Sequence, residues 1–527
     1  MEPSPSRGRR LLRLCGRILA ALLLLVASGL LLGDWLTPRA VGEPSTALPP
    51  RAGQTALDRA LEPQLAAHPG RSGAAYLVDG LEAFAARSVI TRQAGRSLDL
   101  QYYIWHDDMV GHLLVNDVYA AAARGVRVRL LLDDMNAKGL DAQLLALDAH
   151  PRIEVRLYNP FRNREGLWRL VEMVQRVFSI NHRMHNKAWI ADGRVAIVGG
   201  RNIGAEYFDA REDVNFRDLD LLLAGPAAGE ASAIFDTFWN SPAAVPIAAL
   251  AAHSERQLDQ LVSRAALDAR REEALPYLQR LRERLAGPYV GGRLPLHWTG
   301  RLQVHSDPPL KHRDNDRGDW LVTRLGQELG QARHKTLLIS PYFVPGDSGT
   351  GELLRQLADG VHVGIVTNSL AANDVAAVHS GYMHYRLPLL RGGANVYELK
   401  SRGGDGDGGR GSAFGSSGAS LHTKAIVVDD RRGFVGSFNL DPRSAYLNTE
   451  MGVLFDDPVL AAQLREEYLR LSGAELSYYL YLDSDGNLRW LDRARTPPAG
   501  YVVEPDTTWL QRATARVISW LPLESQL

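Results

Sequence analysis

The sequence predicts an α/β protein built from two homologous units behind an N-terminal membrane segment. Three observations predict it: strand and helix patterns alternate along the chain, the alternation is repeated in the second half, and an arginine-led apolar run stands at the start.

At the N-terminus, Arg7, Arg9, Arg10, Arg13 and Arg17 precede the apolar run 18–33, and no acidic residue falls between Glu2 and Asp34. That pattern is a membrane anchor or a signal segment. An uncleaved anchor is favoured over cleavage after Ser28, because leucines continue past that point. The arginines place residues 1–17 in the cytoplasm and the body on the other side of the membrane. Residues 37–52, rich in Pro and Ala and without periodicity, form a linker.

In the body, "SLDLQYYIW" (97–105) alternates as a strand, "GHLLVNDVYAAAARG" (111–125) has helical spacing, and "VRVRLLLDD" (126–134) is again a strand. The order recurs as "KTLLISPYFV" (335–344), "GELLRQLADG" (351–360) and "VHVGIVTNS" (361–369). The domains expected are 1–52 (anchor or signal segment and linker), 53–290 (first unit) and 291–527 (second unit), joined in the charged, helical stretch around 250–295. Residues 401–418 are a glycine-rich loop. The tail sets Trp509, Leu510, Val517, Ile518, Trp520 and Leu521 against Arg512 and Arg516, an amphipathic pattern suited to a membrane interface or to packing on the body. The stretch 167–180 is read the same way.

Composition narrows the function classes. At 527 residues, with 45% hydrophobic and 23% charged residues, the chain has material for more than one core. A formal net charge of +0 argues against a surface that tracks nucleic acid, so no nucleic-acid partner is expected. Cys15 is the only cysteine, which excludes an internal disulfide framework.

The duplication carries the chemistry. Each half reads H-x-K-x4-D-x6-G-[GS]-x-N: His185, Lys187, Asp192, Gly199–Gly200 and Asn202, then His422, Lys424, Asp429, Gly436–Ser437 and Asn439. On a strand, residues i and i+2 share a face, so each His and Lys point the same way. Two such strand ends brought together offer two imidazoles, two ammonium groups and two amides, a setting for a phosphodiester. One imidazole, neutral, attacks phosphorus, while the other, protonated, serves the leaving oxygen. No cluster of metal-ligand spacing adjoins the motif, so neither metal nor cofactor is expected. Each histidine needs a carboxylate to fix its tautomer. Glu450 in "NTEMG" is the candidate in the second half and Asp218 in "FRDLD" in the first, with Asp220 competing. Asp192 and Asp429 are read as turn-holding residues.

The duplicated motif resembles the signature of the phospholipase D superfamily. Further stretches, among them "SLDLQYYIWHDD", "FRDLDLLLAGP", "ISPYFVPGD" and "VGSFNLDPRSAYLNTEMG", are similar to bacterial cardiolipin synthases of the C type over roughly 75 to 525. The resemblance implies a pseudo-twofold pair of α/β/α units, a site completed within one chain, and a phosphohistidine intermediate on His185 with His422 as acid and base. It also implies transfer of a phosphatidyl group from phosphatidylglycerol or phosphatidylethanolamine to a phosphatidylglycerol hydroxyl; the arginine-led segment in turn sets the expected place, a bacterial inner membrane with the body in the periplasm. A hydrolase releasing phosphatidic acid and a nuclease use the same motif and remain alternatives.

Overall fold

Every central strand alternates its side chains between two apolar environments, which is what a sheet covered on both faces requires. Trp189, Ile197 and Leu222 enter one core, while Ile190, Val198 and Leu221 enter another. The computed structural model describes residues 16–18, 21, 28 and 40–527, apart from 138, 165, 177–178, 212–214, 252–274, 286–294, 315 and 402–419. The expected anchor at 18–33 and the glycine-rich loop at 401–418 fall almost wholly outside those residues. Among the described residues no helix is long and apolar enough to cross a membrane.

The first sheet has the order His297–Thr299, Ser72–Leu77, Asp220–Ala224, Val195–Gly199, Ala188–Ala191, Ser97–Tyr102, Arg127–Asp133, Ile153–Tyr158 and Ala244–Pro246. The second runs Leu302–Ser306, Met451–Asp456, Arg432–Gly436, Ala425–Val428, Lys335–Ile339, His362–Asn368 and Asn395–Leu399, then adds Ser477–Leu482, Leu488–Asp492 and Ala499–Tyr501. From Ser72–Leu77 to Ile153–Tyr158, each strand of the first sheet has a counterpart in the same place and chain order in the second. Both sheets are mixed: the strands at 97–102, 127–133 and 153–158 pair in parallel, and their neighbours are antiparallel. His297–Thr299 lies beyond the expected boundary at 290, yet it is hydrogen-bonded to Ser72–Ala74 of the first sheet.

The helices Gly80–Gln93 and Met109–Ala123 cover the outer face of the first sheet through Phe84, Ile90, Val110 and Leu114. The inner faces of both sheets share one core with the helices Pro226–Trp239 and Pro458–Leu471, including Phe235, Trp239, Leu464 and Tyr468. That shared core sets the two sheets against each other and holds the facing ends of their motif segments in place.

Two turns, the first buried and the second partly exposed, fix those segments further. Asp192 follows the strand Ala188–Ala191 with φ 56°, and its carboxylate accepts from the backbone N–H groups of Gly95, Arg96 and Ser97 at 3.0, 2.7 and 2.9 Å. Asp429, with φ 55°, accepts from Arg333, His334 and Lys335 at 3.0, 2.8 and 2.9 Å. A short acidic side chain tolerates this left-handed conformation and gathers donors that the strand starts would otherwise leave unpaired.

The stretch read as a linker is docked on the body from Glu43 onward. Glu43 and Ser45 accept from Arg156 Nη2 at 2.6 Å and Arg129 Nη1 at 2.9 Å, and Asp236 and Asn240 accept from the N–H groups of Ala47 and Ser45. Gly42 leaves room there for the Arg156 guanidinium, which lies 2.3 Å from where a Cβ would stand. Sequence periodicity cannot report a segment held by its backbone rather than by its side chains.

Candidate active site

The two motif segments meet because each pairs with the other half of the chain. Ser420–Leu421 runs parallel to Phe216–Arg217, and Arg217 O accepts from the N–H groups of His422 and Thr423 at 2.8 and 3.0 Å. Met184 bridges Thr449 in parallel, and His185 N donates to Thr449 O at 2.9 Å. The residue ahead of each histidine is clamped by the end of a central strand: Met184 N donates to Asp133 at 2.8 Å, and Leu421 N donates to Asn368 at 2.9 Å.

This crossing decides the carboxylates. Glu450 of the second half lies 2.9 Å from Nδ1 of His185, and Asp218 of the first half lies 2.5 Å from Nδ1 of His422. Both contacts are buried, and both leave Nε2 as the imidazole nitrogen available to a substrate. Asp220, the competing residue, is instead held by Arg87 at 2.9 Å in a buried pair that also engages Tyr102 and Arg201. It belongs to the packing of the first unit.

The glycine–serine position of the motif follows from the carboxylate it faces. A Cβ at Gly200 would stand 2.2 Å from an oxygen of Asp218, so the short carboxylate needs glycine there. At the matching position Ser437 donates its hydroxyl to the longer Glu450 and also accepts from Met451 N at 3.0 Å.

His185 and Lys187 stand just ahead of the strand Ala188–Ala191 rather than on it, and Lys424 just ahead of Ala425–Val428. Strand pairing begins only after the lysine because the preceding backbone is committed to the other half. Each pair still points together: Lys187 Nζ donates to His185 O at 2.6 Å, and Lys424 Nζ donates to His422 O at 2.5 Å. Tyr103 lies edge-on to the His185 ring at 5.0 Å and below Lys187 Nζ at 5.6 Å, while Phe216 stacks on His422 at 5.4 Å. The two asparagines differ. Asn202 accepts from Ile104 N at 3.2 Å and donates to the Tyr207 hydroxyl at 3.0 Å, whereas the buried carbonyl oxygen of Asn439 has no hydrogen-bond partner among the described residues.

Burial dominates the electrostatics. It pulls His185 down to about 4 against the raising effect of Glu450, and it lowers His422 as well, so both imidazoles are neutral near pH 7. Burial likewise takes Lys187 to about 7 and Lys424 to about 8, with the carboxylates opposing it. Glu450 and Asp218 are themselves pushed up by burial, but the facing histidine and nearby lysines prevail and keep them low.

Sequence reasoning missed the support beneath Glu450. Asp307 accepts from Glu450 N at 2.9 Å and from Lys311 Nζ at 2.8 Å, and Lys311 also donates to Ser444 O and Asn448 O. The four-residue spacing of Asp307 and Lys311 is visible in the sequence, but nothing there connects the pair to Glu450. His106, Asp108 and Glu206 place potential metal ligands within 4.8 Å of one another. None of the three is a motif residue: His106 pairs with Glu206 at 3.1 Å, and Asp108 caps a helix and holds Ala205 N at 2.7 Å.

Two facing α/β units, each giving one His-x-Lys segment and one carboxylate to a common centre, define a phospholipase D-like enzyme. A model described as "Cardiolipin synthase, PLD-like domain" matches residues 90–239 and 325–472. Cardiolipin synthase C of Escherichia coli (strain K12) is 40% identical over 487 residues, 89% of this chain and 99% of that protein. Cardiolipin synthase 1 of Bacillus anthracis is 26% identical over 73% of this chain and 64% of its own length. The chain belongs to the family of cardiolipin synthases with phospholipase D-like domains. The crystal structure of phosphatidylserine synthase from Haemophilus influenzae Rd KW20 shares the fold, with a TM-score of 0.55 at 14% identity over 89% of this chain and 100% of that one.

The buried imidazoles and amines make stability depend on pH. An unfolded histidine binds its proton below about 6.5, whereas His185 in the fold stays neutral down to about 4. The unfolded chain therefore binds more protons in that window, and stability falls as pH falls. The lysines act in the same direction at higher pH, because they release their protons in the fold at about 7 and 8 and only near 10.4 when unfolded. The urea midpoint of the substrate-free enzyme should be lower at pH 5 than at pH 7, and an equal or higher midpoint at pH 5 would contradict buried neutral imidazoles.

Proposed function

We propose that the chain is a membrane-associated phosphatidyltransferase that makes cardiolipin through a phosphohistidine intermediate. The observation that carries the chemistry is the pair of buried imidazoles, each fixed through Nδ1 by the opposite half's carboxylate. The lipid assignment is supported by 40% identity to cardiolipin synthase C across 99% of that protein.

In the first step Nε2 of neutral His185 attacks the phosphorus of a donor phospholipid. The bond to the headgroup oxygen breaks, and protonated His422 gives its Nε2 proton to that oxygen, releasing ethanolamine from phosphatidylethanolamine or glycerol from phosphatidylglycerol. Binding of the anionic phosphodiester between Lys187 and Lys424 offsets the charges that oppose protonation of His422. In the second step neutral His422 takes the proton from a primary hydroxyl of phosphatidylglycerol. That oxygen attacks phosphorus, the P–Nε2 bond breaks, and cardiolipin leaves. Lys187 and Lys424, each anchored by one N–H to a histidine carbonyl, direct the rest at the non-bridging oxygens. Asn439 completes the cradle, and Asn202 acts through the Tyr207 it holds. One chain supplies both halves, so no second copy is needed for the site. Water in place of the acceptor hydroxyl would turn the same intermediate into phosphatidic acid.

Purified enzyme given labelled phosphatidylglycerol with and without phosphatidylethanolamine should yield cardiolipin as its main product. His185→Ala should abolish both turnover and covalent labelling, whereas His422→Ala should accumulate labelled phosphatidyl-enzyme. Phosphatidic acid as the sole product would replace the transferase reading with the hydrolase one, and nicking of plasmid DNA without lipid turnover would favour the nuclease.

The N-terminal arginines support a placement with residues 1–17 in the cytoplasm and the body in the periplasm of a Gram-negative cell, at the outer leaflet of the inner membrane. Alkaline phosphatase fused after Leu527 should be active and green fluorescent protein there dark. A bright fluorescent fusion would overturn this topology and leave the chemistry standing.

A further inference from the structure

The C-terminal helix Trp509–Ser519 turns its apolar side away from the body. It packs on the helix Ala376–Arg391, where His384 Nε2 lies 3.1 Å from Ser519 O, and Ala515 is its buried residue. The opposite side carries Trp509, Leu510 and Val517, continued by Trp520 and Leu521, and the two tryptophans are 73% and 74% exposed. A helix selected to pack on a protein core would turn these residues inward. Its charges are Arg512 and Arg516, and no acidic residue lies between Asp506 and Glu524. Apolar and aromatic exposure flanked by cations alone complements an anionic lipid surface.

The segment that follows leads back to the site. Gln526 O and Leu527 O accept from Arg443, through Nη1 at 3.4 Å and N at 2.5 Å, and Asn181 Nδ2 donates to Gln526 Oε1 at 3.3 Å. Arg443 follows Asn439 and Asn181 precedes His185, so the tail touches the approach to each motif, one in either half. Beside these residues a cavity of about 440 Å³ opens between Ser179, His182 and Tyr446. The helix Gly166–Gln175, which leads into Ser179 from the first half, also exposes Leu167, Leu170 and Met173 along one side.

We propose that these two apolar faces, one from each half, dock the mouth of the active site directly onto an anionic bilayer. Trp509 and Trp520 then sit at headgroup level, Arg516 meets lipid phosphates, and the tail from Leu521 to Leu527 spans from the bilayer surface to the two motif segments. A headgroup can reach the histidines in this arrangement while its acyl chains stay in the membrane. The inference rests on the lipid reading above and adds to it the surface through which substrate enters.

The test uses the full chain with Cys15→Ser and an environment-sensitive fluorophore on Trp520→Cys, reconstituted into phosphatidylcholine vesicles with or without phosphatidylglycerol. The label should shift to the blue and be quenched by spin-labelled lipid when phosphatidylglycerol is present. In parallel, the double variant Trp509→Ser with Trp520→Ser should lose at least about tenfold more turnover on vesicle-borne lipid than on monomeric short-chain phosphatidylglycerol. A label that stays in water on anionic vesicles, or equal losses on both substrates, would overturn the dock. So would a label buried without lipid as protein concentration rises, which would assign the face to a second copy of the chain. Label insertion does not require product, so a chain that inserts but makes no cardiolipin would sink the functional reading and leave the docking surface in place.

Discussion

The active site depends on a crossing: each catalytic-motif histidine is held by a carboxylate from the other half of the chain. His185 with Glu450 and His422 with Asp218 are buried contacts, and removing one partner from such a pair leaves an uncompensated group in a poor solvent. The crossing is built by backbone before it is completed by side chains. Phe216–Arg217 pairs with Ser420–Leu421, and Met184 with Thr449, so each histidine segment enters the opposite unit and finds that unit's carboxylate. Neither half therefore holds a complete histidine–carboxylate pair, although each contains both residue types.

That constraint explains details that otherwise look arbitrary. Glycine at 200 and serine at 437 fit a short and a long carboxylate in the same place, one by leaving room and the other by donating a hydrogen bond. Asp192 and Asp429 gather the backbone donors at two strand starts so that the segments ahead of them can leave their own sheet. Lys311 and Asp307 pin Glu450 from behind, which makes a residue far along the chain part of the support of His185. Burial then sets the electrostatics, holding the imidazoles neutral and bringing the amines down towards neutral pH.

Much of this was legible in the sequence because the relevant forces are local or periodic. Alternation in 97–105 and 126–134 marked strands now seen at Ser97–Tyr102 and Arg127–Asp133, and helical spacing at 111–125 corresponds to Met109–Ala123. The repeated motif announced two units and one chemistry. What could not be read was which carboxylate serves which histidine, since Glu450 and Asp218 were assigned one to each half with nothing to show an exchange. The docking of residues 40–47 was hidden for a related reason: buried arginines bind its backbone carbonyls, and a backbone contact leaves no mark on composition. The outward face of Trp509–Ser519 was half legible, because amphipathicity gives a helix two sides but does not say which one the body takes.

The most direct measurement of the crossed site is the ¹⁵N spectrum of histidine-labelled enzyme near neutral pH, with and without Glu450→Gln. The geometry predicts neutral imidazoles for His185 and His422, protonated on Nδ1 with Nε2 bare, and a perturbation from Glu450→Gln that falls on His185 and spares His422. Protonation on Nε2, or a Glu450→Gln shift confined to His422, would contradict it.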